Sequence, residues 1–267
     1  MAGNNLSPSQ KMIGMMYLVL TAMLALNVSK EVLDAFQKIN GGIVRTTQNF
    51  NSKNDEVYSA FVSAAETNEA KAGPWRDKAF SVKSKADKIV DDIQRLKFDM
   101  VMLADKQVTF EGEEPLQGVA YDDLTAVQKK KLMTDVISKK DRERPGELMI
   151  NKGNGDILQK GLEDYRDFLK DLVDEPAIQS SLSTTFIFED KKEKYGSGML
   201  SWVQQNFQDM PLIAAVTILS KIQTDVRNAE SDVIKYLQQE IDAGSLKFTS
   251  ADAIQIATSN YVFLGDS

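Results

Sequence analysis

The sequence predicts a mainly α protein. A single N-terminal transmembrane helix continues into a periplasmic helical bundle, and a truncated β-rich domain begins at the C-terminus. Three observations carry this expectation. No charged residue lies between Lys11 and Lys30; narrow apolar stripes recur three and four residues apart through most of the chain beyond Lys30; and after Phe248 short β-rich runs replace that period. The chain therefore divides into a cytoplasmic leader and transmembrane helix (1–30), a helical-bundle domain (31–245) and the start of a second, β-rich periplasmic domain (246–267).

The helix start is written in Ser7-Pro8-Ser9-Gln10, where Ser7 can cap, Pro8 suits the first helical position and Gln10 completes a capping box. From Met12 to Ser29 run 18 uncharged residues. At 1.5 Å per residue these cover about 27 Å, enough for a hydrocarbon core of roughly 30 Å with Lys11 and Lys30 snorkelling at its ends. A cleaved signal peptide is the competing reading. Against it, no small-x-small pair stands where cleavage would fall, and the helical pattern runs past Lys30 without a break. The short leader is easiest to leave in the cytoplasm, which places a single-pass chain in the inner membrane with its bulk in the periplasm.

Gln10, Gly14, Tyr17 and Thr21 are spaced 4, 3 and 4 and form one stripe, continued by Leu24 and Val28. Polar side chains in hydrocarbon seek partners, and glycine lets a second backbone come close, so this stripe is expected to face other transmembrane helices. The plainer alternative is that Tyr17 and Thr21 bond only to their own helix.

Beyond Lys30, Phe36, Ile39, Ile43, Thr46, Phe50, Lys53, Val57, Ala60 and Ala64 continue the period, with Gly41-Gly42 a candidate kink. Pro74 is read as opening a second helix with Val82, Ala86, Ile89, Ile93, Leu96, Met100 and Leu103 on its apolar face. A third covers Asp156–Asp174, with Leu158, Leu162, Tyr165, Leu169 and Leu172 inward and Pro176 as its stop. The fourth comes after Pro211 and carries Leu212, Ala215, Leu219, Ile222, Val226, Ala229, Val233 and Tyr236. Stripes of this kind pack as left-handed bundles, and they are core. Between the second and third helices, a short helix is expected at Asp122–Lys139 and an exposed, charge-balanced loop at Lys139–Arg144.

The tail carries β-rich runs at Ala253–Ala257 and Tyr261–Leu264. Two short strands cannot make a domain, so the sequence reads as stopping where one begins.

Composition excludes much. Cysteine and histidine are absent, which removes thiol nucleophiles, Ser-His-Asp triads and the usual zinc sites. Net charge is −7, and the only tight basic run is Lys129-Lys130-Lys131, read as a solvated helix face, so no nucleic acid is expected. No phosphate-cradling loop is present, and neither an enzymatic activity nor a cofactor is predicted.

The opening LSPSQKMIGMMYLVLTAMLALNVSKEVLDAF resembles the amino terminus of the GldM/PorM family, the inner-membrane motor subunit of the type IX secretion system and of gliding motility. The tail SNYVFLGDS resembles the start of that family's second periplasmic domain. The resemblance implies a homodimer whose two helices sit inside a ring of a two-span membrane protein of GldL/PorL type with a membrane-buried carboxylate. Proton flow turns the ring against the pair, and a periplasmic rod carries the motion to secretion components at the outer membrane. Many members have arginine where this chain has Ser9 and asparagine at Gly14. The resemblance leaves Gln10, Gly14, Tyr17 and Thr21 as the ring-facing stripe and puts Ser9 and Lys11 at the cytoplasmic rim. Two other classes compete, a membrane-anchored sensor bundle and a passive tether. A sensor would need a second span to signal inside, and Leu212–Leu219 is too short for one.

Overall fold

The computed structural model describes residues 8–26, 29–192 and 198–258, with side chains for 9–20, 29–192 and 198–241. Helix α1 (Pro8–Leu26) is succeeded by two long helices, α2 (Lys30–Thr67) and α3 (Glu69–Asp105). Next come strands β1 (Gln107–Phe110) and β2 (Leu116–Gln117), helix α4 (Ala126–Lys130) and strand β3 (Met133–Asp135). A short α5 (Glu143–Gly146) leads through a π-turn into α6 (Asn154–Asp171) and α7 (Pro176–Thr185). The hairpin strands β4 (Lys191–Lys192) and β5 (Met199–Leu200), α8 (Trp202–Phe207) and the long α9 (Leu212–Thr258) complete the chain.

The body is built on α2, α3 and α9. Paired contacts rise together along α2 and α9: Thr47 meets Thr224, Asn54 meets Arg227 and Tyr58 meets Glu230. These two helices are therefore parallel. Helix α3 runs back alongside both, since Asp87 meets Arg227 while Val90 meets Gln223, four residues earlier on α9. Helices α5 and α6 pack on the flank of α3, α7 and α8 pack on α6 and α9, and a sheet of order β2-β1-β3, antiparallel throughout, closes the end where α2 and α9 begin.

The apolar stripes of α3, α6 and α9 are buried as their spacing requires. Val82, Ala86, Ile93, Leu162, Leu169, Leu219, Val226 and Val233 all lie in one core. Other expectations need correction. Asn68, rather than Pro74, starts α3: its side chain accepts from the Lys71 amide, and Pro74 sits inside the early turns. Pro176 ends nothing but opens α7, at the position where a missing N–H costs no helical bond. The segment read as one helix at Asp122–Lys139 is a 3₁₀ turn, the short capped α4 and β3, because Phe110 pairs with Met133 across the sheet. Gly41 and Gly42 remain within an unbroken α2.

Two corrections bear on the ends of the body. Ser29 is extended (φ −64°, ψ 151°) and caps α2 by accepting from the Val32 amide, so the expected unbroken helix across Lys30 is instead a restart. The strand expected at Ala253–Ala257 is helical, since α9 runs through Thr258 and past the 245/246 boundary. A growing helix gains one bond per residue, whereas a lone strand pair has no sheet to join. The second expected strand, Tyr261–Leu264, lies outside the described residues.

Candidate functional site

Helix α1 carries the sequence-predicted contact residues. Ser9, Gln10, Lys11, Gly14 and Tyr17 are all solvent-exposed on it. Thr21 and Leu24 fall on its backbone, their side chains outside the described set, and Val28 is outside it altogether. Met12, Ile13, Met15, Met16, Tyr17, Leu18, Val19 and Leu20 are each 54–70% exposed. A water-facing helix keeps one polar face; here nearly consecutive positions, on every side of the helix, are apolar. Among the described residues no helix is long and apolar enough to cross a membrane, and those residues stop short of the side chains at 21–28.

The next element in line is the start of α2, and here a clamp gathers three helices. Asp105 at the end of α3 accepts from the amides of Ile137 and Ser138, each at 2.8 Å. Lys139 then reaches Asp34 on α2 at 2.6 Å, and this ion pair, partly offset by burial, holds the Asp34 carboxyl below its usual range. The carbonyls of Asp141 and Lys139 accept from Leu212 and Ile213, the first amides of α9, at 2.7 and 3.3 Å. Asp141 itself bonds the amides of Glu143 and Arg144. The loop expected to be free and exposed is thus a tie between α2, α3 and α9. Of its charges Lys139 pairs with Asp34, while the start of α9 is held by the loop's backbone carbonyls.

From the clamp outward, α2 meets α9 along a polar seam that the apolar spacing does not reveal. The expected face of α2 is offset from the true one: Ile39 is exposed, and the buried positions include Leu33, Asn40, Thr47, Asn54 and Phe61. These recur every seven residues, but three of the five are polar, so a search for apolar periodicity passes over them. Opposite them α9 presents Thr217, Ser220, Thr224, Arg227 and Ser231, spaced 3, 4, 3 and 4. Thr47 and Thr224 share a hydroxyl bond of 2.7 Å, and Asn54 Nδ2 donates to the Arg227 carbonyl at 3.2 Å.

At the centre of the seam Arg227 and Glu230 form a buried ion pair at 2.8 Å, and Arg227 also reaches Asp87 at 2.7 Å. Burial alone would depress the guanidinium, but Glu230 and then Asp87 outweigh it and hold it firmly charged. Tyr58 donates to Glu230, and its hydroxyl is pushed well above the phenol range first by burial and then by that carboxylate. One turn nearer the clamp, Lys97 of α3 is buried with Gln223 Oε1 as its partner at 2.9 Å, and desolvation pushes its ammonium down to about 7. Gln223 in turn donates to the Val90 carbonyl at 2.9 Å. Among the described residues no group of carboxylates is arranged to hold a metal ion.

Parallel long helices, joined by a polar seam and tied at one end beside an apolar helix, define a helical-bundle domain with polar side chains buried between its helices. The sequence profile of the GldM N-terminal domain matches residues 31–240, which is most of the chain, and the chain belongs to that family. Comparison with curated proteins finds no match.

Proposed function

We propose that the chain is a subunit of the gliding and type IX secretion machinery, where it serves as the moving element of a proton-motive-force-driven inner-membrane motor. In this reading α1 lies in the bilayer as a single span, its N-terminus cytoplasmic, paired with a second copy and ringed by a two-span membrane protein of GldL/PorL type. The bundle stands in the periplasm and performs no catalysis. The observation that carries the reading is the apolar surface of α1, exposed on all sides and joined to a domain of the GldM family. Such a surface needs lipid or other helices around it. A ring-borne carboxylate that gains and loses protons would change its attraction to the polar stripe at Gln10, Tyr17 and Thr21.

The bundle supplies the onward path. Motion of α1 enters α2 through the Ser29 joint, crosses to α9 by the clamp and the seam, and leaves along α9 towards outer-membrane-associated secretion components. Parallel α2 and α9 suit this, since both point away from the membrane end. The test is Tyr17→Phe combined with Thr21→Val, which keeps expression intact and impairs secretion and gliding. Normal secretion by that double variant would remove the stripe from the mechanism. A passive tether is separated by co-purification, because only the motor requires a small two-span protein in excess over this chain.

A further inference from the structure

Lys97 is a buried cation that the motor reading leaves unused. It lies between α3 and α9, 3% exposed, and its ammonium meets one acceptor, Gln223 Oε1. Gln223 is held from its amide end, donating to the Val90 carbonyl at 2.9 Å and standing 3.5 Å from Gln94 Oε1. Gln94 reaches on to the carbonyl of Lys131, between α4 and β3, also at 3.5 Å. Both glutamines line a cleft of about 500 Å³ between α2 and α3, and Lys97 does not. The two amides therefore wall the lysine off from that cleft.

Charges on the surrounding elements are engaged with one another rather than with Lys97. On α9, Lys221 pairs with Asp225 and Arg227 with Glu230. Lys131 pairs with Glu113, Asp34 of α2 with Lys139, and Arg144 of α5 with Glu147. Burial is the one cause that acts on the Lys97 pKa. The donor count points the same way without it. An ammonium carries three N–H donors and this seat offers one acceptor, whereas the neutral amine carries only two. Each donor left unmet in the interior costs free energy.

We propose that Lys97 and the Gln94–Gln223 wall form a proton-sensitive latch between α3 and α9. The neutral amine stays seated and the wall stays shut. Proton uptake favours a form in which the ammonium has passed the wall to water in the cleft, with the α3–α9 contact opened around Gln223. The same opening lets go of the Lys131 carbonyl ahead of β3. Such an opening is local, one part of the bundle giving way while the rest holds. The latch involves neither α1 nor a partner, so it stands apart from the motor reading.

An exposed lysine keeps the ordinary value of 10.5, against about 7 in the seat. Between the two the open form holds a proton that the closed form lacks, so opening grows as pH falls through that window and levels off below about 7. Native-state hydrogen exchange of the full chain in detergent tests this. From about pH 8.5 to about pH 7, corrected for the intrinsic rate, opening at amides 222–226 of α9 and 93–97 of α3 should rise about tenfold, while amides 162–169 of α6 change less than about twofold. Lys97→Met, similar in length and uncharged, should keep the wild-type circular dichroism and lose that rise. Unchanged opening in the wild type overturns the proposal. So does an equal rise in every helix, which is unfolding of the whole bundle, or a rise that persists in Lys97→Met. The wild-type profile decides between latch and whole-bundle unfolding even where the variant fails to fold.

Discussion

Tyr58 on α2 donates a 2.7 Å hydrogen bond to Glu230 on α9, and that carboxylate is fully buried. The bond links the two parallel long helices of the bundle. Tyr58→Phe removes the donor but keeps the ring that packs on Phe80. An orphaned oxygen of a buried carboxylate should lower stability by roughly 1–3 kcal/mol. Chemical denaturation checks this, and a loss confined to the solvent-exposed surface range, under about 0.5 kcal/mol, would mean that the seam is not closed there.

Lys97 predicts a pH dependence whose sign can be worked out. Its folded-state pKa of about 7 lies below the ordinary lysine value of 10.5. Between those values the unfolded chain binds a proton that the folded chain does not, so stability rises with pH across that window and the gain is lost as pH falls to about 7. The slope from this residue is at most about 1.4 kcal/mol per pH unit. Lys97→Met should flatten the rise, and denaturation midpoints at several pH values between about 6 and 10 would reveal it.

Gly155 at the start of α6 has no room for a side chain. A Cβ there would strike Val203 Cγ1 and come to 2.8 Å from the Met149 carbonyl oxygen. Gly155→Ala should destabilise by roughly 1–3 kcal/mol. Adding Val203→Ala should recover part of that loss, since one of the two obstructions is gone. A double-mutant cycle by thermal unfolding measures the coupling.

The Ser29 cap is long, at 3.4 Å, so its removal should be mild. Ser29→Ala is expected to cost about 0.5 kcal/mol, at the low end for such caps. The effect should appear as faster amide exchange at Val32 and its neighbours, with the far end of α2 unaffected.

Much of the fold was legible because apolar spacing reports burial. Leu158, Leu162, Tyr165 and Leu169 are buried where the period put them, and so are Leu212, Ala215 and Leu219. The face of α2 was misread for the converse reason. Its core positions include Asn40, Thr47 and Asn54, and Thr47 and Asn54 meet Thr224 and Arg227 of α9, about 170 residues away in sequence. The heptad spacing of those three was visible, but nothing in the sequence named their partners. The clamp at Lys139–Asp141 was hidden likewise, since a mixed charge run looks the same whether it faces water or helix ends. Gln10, Gly14 and Tyr17 fall on one exposed helix, α1, and their service as a partner-facing stripe stands as a proposal.

Whether the chain works as a motor element depends on what surrounds α1, and site-specific photo-crosslinking from position 17 in native membranes asks that directly. A crosslinker in place of Tyr17 should capture a small two-span membrane protein, and one in place of Lys53, exposed on α2, should not. Recovery of lipid adducts alone at position 17, or release of the chain from membranes by alkaline carbonate, would rule the motor reading out.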